Sequence, residues 1–353
     1  MKKRRVLLAD DSAVFRRFLY ALLVADPRVE IVGEARDGRQ AVEMARATRP
    51  DVLTLDVDMP VMGGIEVLDA LLAFDPRPAV IMVSRLTDAD SRTTLAALCR
   101  GAADFVLKPA DLDREEEQRA FGEALRAKIH ALAGPPPSGE RLPPPARPPG
   151  ERKGGPPRAV LIGASTGGPN ALSVLLRGLR ADFPLPLLIV QHMPPVFTGL
   201  LAERLSAECP LRVREAREGV VPRPGEAWIA PGDRHLAVAG GEARWFLHLT
   251  EDPPENFCRP SVDVLFRSAA KTWGGRALGV ILTGMGQDGA LGCEALRGAG
   301  GAILAQDPSS SLIWGMPGAV VRAGWANEVV PLDRMANRLQ TWATSAPGES
   351  RGL

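Results

Sequence analysis

Two sets of side chains in this 353-residue sequence have the types that chemistry needs. The first is acidic. Asp10 and Asp11 follow the apolar run "RVLLA", Asp56 closes "DVLTLD", and Ser84 and Lys108 close "AVIMVS" and "ADFVLK". Carboxylates crowded at one place resist ionising together. A hard divalent cation relieves that repulsion, and Mg²⁺ suits carboxylate oxygens combined with waters and a phosphate. Lys108 adds a compact positive charge for a phosphoryl oxygen, and Ser84 can donate a hydrogen bond to the same atoms. The set reads as a site where Asp56 accepts a phosphoryl group. A single aspartate would be read as a cap at a strand–helix junction. A double acid, a single acid, a hydroxyl and a lysine on successive strand ends go beyond that.

The second set starts in "VLIGASTGGPN", where Ser165 sits among glycines after an apolar run. His192 ends "LPLLIVQH", and Asp288 lies in the glycine-rich turn of "ALGVILTGMGQDGA". On parallel neighbouring strands all three emerge at one sheet edge. Ser165 would be the nucleophile, His192 its base, and Asp288 the carboxylate that fixes the imidazole tautomer. Backbone N–H groups near Thr166 and Met285 would form an oxyanion hole, because glycine lets the chain approach closely. Each residue alone has a plainer reading. A glycine-flanked serine is a tight turn or an anion-binding loop, a histidine at a strand end is structural, and an aspartate before glycine is a turn residue. "GASTG" also satisfies the G-x-S-x-G elbow of α/β-hydrolases, but there the acid precedes the histidine. His235 and His248 fall in hairpin-like segments and His130 in a helix, so these read as satisfied or exposed.

The elements that must position these groups are legible as patterns. In the first half, "RVLLADD", "VEIVGEA", "DVLTLDVDMP", "AVIMVS" and "ADFVLKP" read as strands, with "AVFRRFLYALLVA", "GRQAVEMARAT" and "GGIEVLDALLAF" as helices between them. Such alternation predicts a doubly wound parallel sheet, with its working groups at the C-terminal strand ends. A last helix carries an apolar stripe at Phe121, Leu125, Ile129 and Leu132. Residues 134–157 hold ten prolines and five glycines and predict an extended linker. They divide residues 1–133 from 158–345, with a tail at 346–353. The second half again alternates strands and helices.

Composition narrows the class. Hydrophobic residues make up 45% and charged residues 24%, as in a soluble globular protein, and the net charge of +1 points to neither nucleic acid nor an anionic membrane as partner. The apolar part of "MKKRRVLLADDS" is too short for an export signal, and no run has the roughly 18 apolar residues of a membrane span. Cys99, Cys209, Cys258 and Cys293 lie far apart, so they read as small buried apolar residues in a reducing cytoplasm. The histidines show no metal-binding spacing.

The first half resembles the response-regulator receiver domain over nearly its whole length. The resemblance rests on Asp10/Asp11, the phospho-acceptor Asp56 in "LDVDMP", the switch hydroxyl Ser84, the aromatic Phe105 and Lys108 of "KP". It implies a flavodoxin-like fold and phosphorylation by a histidine kinase. It also implies Mg²⁺ held by Asp11 and Asp56, with help from Asp10 and the carbonyl of Asp58. In the second half, "GASTGG", "QHMPPVFT", "APG..H", "RPSVDVLF", "TGMGQDGA" and "GMPGAVV" follow in the order found in the chemotaxis protein-glutamate methylesterase/glutaminase family, CheB. That resemblance covers residues 158–345 and implies a Rossmann-like three-layer α/β domain. It places the triad on Ser165, His192 and Asp288, and the oxyanion donors on Thr166 and Met285. The implied substrates are glutamate methyl esters and glutamines on the cytoplasmic helices of chemoreceptors. The implied chemistry needs no organic cofactor and no membrane insertion.

Val196 stands where that family commonly has glycine, and Arg85 where a second serine is common. The receiver is expected to block the second domain until phosphate on Asp56 pulls Ser84 and Phe105 inward. Two other readings remain at this level. One is a phospho-controlled binding module that uses "GASTGG" to hold an anion or nucleotide, and the other is a small-molecule serine esterase.

Overall fold

The computed structural model describes residues 3–132, 155–241 and 244–344. The chain divides into two compact units, Met1–Pro135 and Pro136–Leu353. Of the expected linker only residues 155–157 are among those described, and the expected tail lies outside them.

The first unit runs β1 (Arg4–Ala9), α1 (Ala13–Val24), β2 (Val29–Ala35), α2 (Gly38–Thr48), β3 (Val52–Asp56), α3 (Gly64–Leu71), β4 (Ala79–Ser84), α4 (Asp88–Cys99), β5 (Asp104–Leu107) and α5 (Glu115–Leu132). Its strands form one parallel sheet in the order β2-β1-β3-β4-β5. The central strand β3 is buried along its whole length, as a strand covered on both faces must be. Helix α1 starts at Ser12, whose hydroxyl accepts the Phe15 N–H at 3.3 Å. Phe15, Leu19 and Leu23 recur every fourth residue and meet Phe121, Leu125 and Ile129 of α5 over the sheet, with Leu132 partly buried beside them. The stripe read from the sequence is therefore the packed face. Helix α4 was not legible in the same way. Its buried face includes Ser91 and Thr94, so hydroxyls stand where an apolar period would announce a helix.

The second unit runs β6 (Val160–Ala164), α6 (Gly168–Arg177), β7 (Leu187–Gln191), α7 (Pro195–Glu208), β8 (Arg212–Glu215), β9 (Glu226–Ile229), β10 (His235–Gly240), β11 (Trp245–Thr250), α8 (Val262–Trp273), β12 (Leu278–Ile281), α9 (Ala290–Gly298), β13 (Ala302–Gln306), α10 (Met316–Arg322), β14 (Glu328–Val330) and α11 (Leu332–Thr344). Seven strands form a parallel sheet in the order β14-β13-β12-β6-β7-β9-β8, and β10 pairs with β11 as an antiparallel hairpin. One face shares a core with α8, α9, α10 and the hairpin. On the other, α6 packs with α7 and α11. The chain builds outward from β6 through β7, then returns to add β12 on the opposite side of β6. That reversal makes the β6/β12 boundary a topological switch point, where an open α/β sheet leaves a crevice at its carboxyl edge.

Candidate active site

Register brings the second set of residues together. β6 and β7 pair Ala164 with Gln191, so Ser165 and His192 are the next residues out on adjacent strands. The His192 N–H donates to the Ala164 carbonyl at 3.1 Å, and the Ser165 N–H donates across the other seam to the Thr283 carbonyl at 3.1 Å. The turn into α6 passes through Gly167 at φ 78°, a region costly for any residue with a Cβ. A Cβ on Gly284 would lie 2.8 Å from that of Ser165. The loop after β12 reaches the serine because position 284 has no side chain.

Asp288 is buried and saturated with donors. Its Oδ1 accepts from the Ser261 hydroxyl at 2.8 Å, the Asn256 amide at 3.1 Å, the Asp263 N–H at 3.2 Å and the Gly289 N–H at 3.0 Å. Its Oδ2 accepts from the Val262 N–H at 2.7 Å and pairs with His192 Nε2 at 2.8 Å. Val262 and Asp263 open α8, so the carboxylate also caps a helix N-terminus. Burial alone would raise its pKa. The bond and charge of His192, with the Val262 and Ser261 donors, reverse that and hold it at about 2.

An ionised Asp288 fixes the proton of the neutral imidazole on Nε2 and leaves the lone pair on Nδ1. Burial would lower the imidazole pKa, but the bonds and charges of Asp288 and Cys258 outweigh it and raise it to about 9. Nδ1 faces the Cys258 thiol at 3.6 Å. Ser165 Oγ makes no hydrogen bond among the described residues. Ser165 and His192 flank the β6/β7 seam.

Supporting groups surround the serine loop. The Met285 N–H makes no hydrogen bond among the described residues, and Met285 is exposed. Thr166 is buried, and its carbonyl accepts the Thr283 hydroxyl at 3.0 Å. Gln306 accepts the Thr283 N–H at 2.8 Å, and Gln191 donates to the Ser165 carbonyl at 3.0 Å. Sequence reasoning missed Gln191, Asn256, Cys258, Ser261, Asp263, Thr283 and Gln306. Only the polar residues ending the apolar strands at 191, 283 and 306 gave any signal. Among the cysteines, all are free and only Cys293 is fully buried. The expectation of buried apolar cysteines fails for Cys258, which the loop before α8 delivers to the site. His235 is buried and satisfied, accepting the Ser261 N–H at 3.1 Å and bonding the Pro253 carbonyl at 3.2 Å. His248 pairs with Glu218 at the surface and His130 with Asp26.

The first set also assembles at a carboxyl edge. Lys108 Nζ bridges Asp10 at 2.7 Å and Asp56 at 2.9 Å, and it lies 4.7 Å over the Phe15 ring. Asp10, Asp11 and Asp56 each place a carboxylate oxygen within 4.8 Å of the others. Burial and then the charge of Asp10 push Asp56 up to about 6, against the pull of Lys108. One lysine thus leaves three carboxylates under-neutralised, and this hard-oxygen set fits a divalent cation. Asp58 is exposed, and its carboxyl is raised by partial desolvation and then by Asp90. Ser84 is buried, with its hydroxyl donating to the Arg85 carbonyl at 3.0 Å. Phe105 is buried, at 9% exposure.

The geometry of both edges agrees with the comparisons. The CheB methylesterase family model matches residues 160–339, and the response regulator receiver domain matches residues 6–117. The chain belongs to the CheB methylesterase family. It is 42% identical to the protein-glutamate methylesterase/protein-glutamine glutaminase of Trichodesmium erythraeum, over 96% of this chain and 99% of that one. It is 45% identical to the protein-glutamate methylesterase/protein-glutamine glutaminase 2 of Caulobacter vibrioides, over 97% and 99%. The crystal structure of the Thermotoga maritima CheB methylesterase catalytic domain superposes with a TM-score of 0.51 at 38% identity, covering 52% of this chain and 97% of that one. No described helix is long and apolar enough to cross a membrane.

Proposed function

We propose that the chain is a phosphorylation-controlled protein-glutamate methylesterase and protein-glutamine glutaminase acting on chemoreceptors in the cytoplasm, with residues 1–133 as receiver and 158–345 as catalytic domain. The observation that carries this reading is the Asp288–His192 pair beside Ser165 at the switch point of a sheet whose relatives bear those names. Ser165 Oγ attacks the γ-carbonyl of a methylated glutamate and passes its proton to His192. With Nε2 committed to Asp288, the accepting atom is Nδ1. The oxyanion meets the N–H groups of Met285 and Thr166. The imidazolium returns the proton to the departing methanol, and water then releases free glutamate by the reverse sequence. Glutamine follows the same route and gives ammonia.

A receptor helix would dock against the exposed apolar side chains Val196, Met285 and Leu312, which follow β7, β12 and β13, and Phe257, in the loop before α8. Val196, where the family's glycine is replaced, adds to that surface. In the receiver, Asp11 and Asp56 would hold Mg²⁺ with Asp10 and the Asp58 carbonyl. The ion would supply charge neutralisation for phosphoryl transfer from a histidine kinase. Lys108 and Ser84 would contact the phosphoryl oxygens.

The test is methanol release from methylated receptor, with and without a small-molecule phosphodonor. Release that rises with the phosphodonor supports the reading. A protein that labels with a fluorophosphonate but releases no methanol is a serine esterase for another substrate. One that does neither is a binding module.

A further inference from the structure

Cys258, His192 and Asp288 come from three separate segments, and each places one potential ligand atom within 4.8 Å of the others. Asp288 is not available as a ligand, because both its oxygens are filled by the donors described above. The other two atoms are differently placed. Cys258 Sγ and His192 Nδ1 lie 3.6 Å apart, and both side chains are part-exposed. In a tetrahedral zinc site, Zn–S of about 2.3 Å and Zn–N of about 2.0–2.1 Å set the sulfur-to-nitrogen edge at roughly 3.6 Å. The pair already has the span of that edge. Its thiolate and imidazole donors select zinc over magnesium or calcium. Asp288 on Nε2 completes the carboxylate–histidine–metal arrangement that orients a ligating imidazole and makes it more basic.

We propose that Cys258 and His192 form an inhibitory Zn²⁺ site, in which the ion occupies the nitrogen that accepts the proton of Ser165. Binding converts the Cys258 thiol to a bound thiolate and displaces the proton that an imidazolium carries on Nδ1, so both protons pass to solvent when His192 starts protonated. The His192 lone pair on Nδ1 passes to the metal, and the proton on Nε2 stays there, donated to Asp288. Water fills the remaining positions. The binding step is independent of the esterase reading, whereas the inhibition rests on it.

Three measurements on the full chain separate these parts. Co²⁺ replaces zinc as a spectroscopic probe and gives a thiolate charge-transfer band, which Cys258→Ala abolishes. Zinc slows alkylation of Cys258 in the unaltered chain, read by peptide mass, and leaves Cys99 and Cys209 unprotected. Zinc suppresses fluorophosphonate labelling of Ser165, and Cys258→Ala raises the half-inhibiting concentration by at least about tenfold, each variant scored against its own zinc-free rate. A cobalt band of equal strength in Cys258→Ala, or alkylation of Cys258 unaffected by zinc, overturns the site. Protection of Cys258 without suppressed labelling retains the site and overturns its inhibitory role. Labelling suppressed by zinc in a chain that never releases methanol leaves the zinc site standing and removes the methylesterase.

Discussion

Asp56, the last residue of β3, and Asp288, in the turn between β12 and α9, are both buried, yet they titrate in opposite directions. Asp56 faces Asp10 and shares one lysine with it, and it is pushed up to about 6. Asp288 has four backbone and side-chain donors on one oxygen and a backbone N–H with an imidazole on the other, and it is held at about 2. Burial is the largest influence on both and raises both. The difference lies in what faces the charge. The second carboxylate is complete as the chain folds, whereas the first is finished only by a cation or a phosphoryl group. One edge is built to be preorganised and the other to be switched.

Ser165→Ala gives the hardest test of this division. Methanol release should fall by at least about 10³-fold, while phosphorylation of Asp56, followed with a radiolabelled phosphodonor, stays unchanged. Loss of both would mean that the two edges are not separate machines. Asp288→Asn keeps the shape but removes the charge. It should lower the rate by about 10²–10⁴-fold and bring the His192 pKa down from about 9, read by NMR titration. An unmoved titration would assign the shift to Cys258 instead.

Asp56→Asn should abolish stimulation by the phosphodonor and leave basal turnover in place. Mg²⁺ should also bind this variant more weakly, as followed by calorimetry. The pH profile sharpens the comparison further. The base must be neutral and its pKa is raised, so kcat/KM should climb as pH rises from 7 toward about 9, rather than levelling near the ordinary histidine range. Stability should move the other way. The raised His192 stabilises fully below its unfolded pKa of 6.5, and that contribution is lost as pH rises through about 9. Asn256→Ala should have the smallest effect. It removes the donor shared by Asp263 at 2.8 Å and Asp288 at 3.1 Å and should cost about 1–3 kcal/mol in urea unfolding.

Much of this was legible before any coordinates. Apolar runs placed the strand that ends at Asp56 and those that end just before Ser165 and His192, because a strand buried on both faces has few polar letters to confuse it. The α5 stripe was legible for the same reason, and α4 was not, because Ser91 and Thr94 lie in its buried face. The site was readable wherever a motif ended a strand. Cys258, Asn256, Ser261 and Asp263 were not, since a long excursion through the hairpin brings them back to Asp288. No spacing rule measures that return. The absence of metal-like histidine spacing says nothing about a cysteine that arrives by this route.

The hydrogen bond from the His192 N–H to the Ala164 carbonyl has a consequence for how the enzyme fails. The bond ties His192 to the residue before Ser165 through main chain, across the central seam of a seven-stranded sheet. Local fraying cannot part them, and only opening of that seam can. The His192 amide should therefore be among the slowest to exchange with deuterated solvent. On heating, catalysis should persist until the whole second unit melts, with no inactive intermediate in which the fold survives its chemistry.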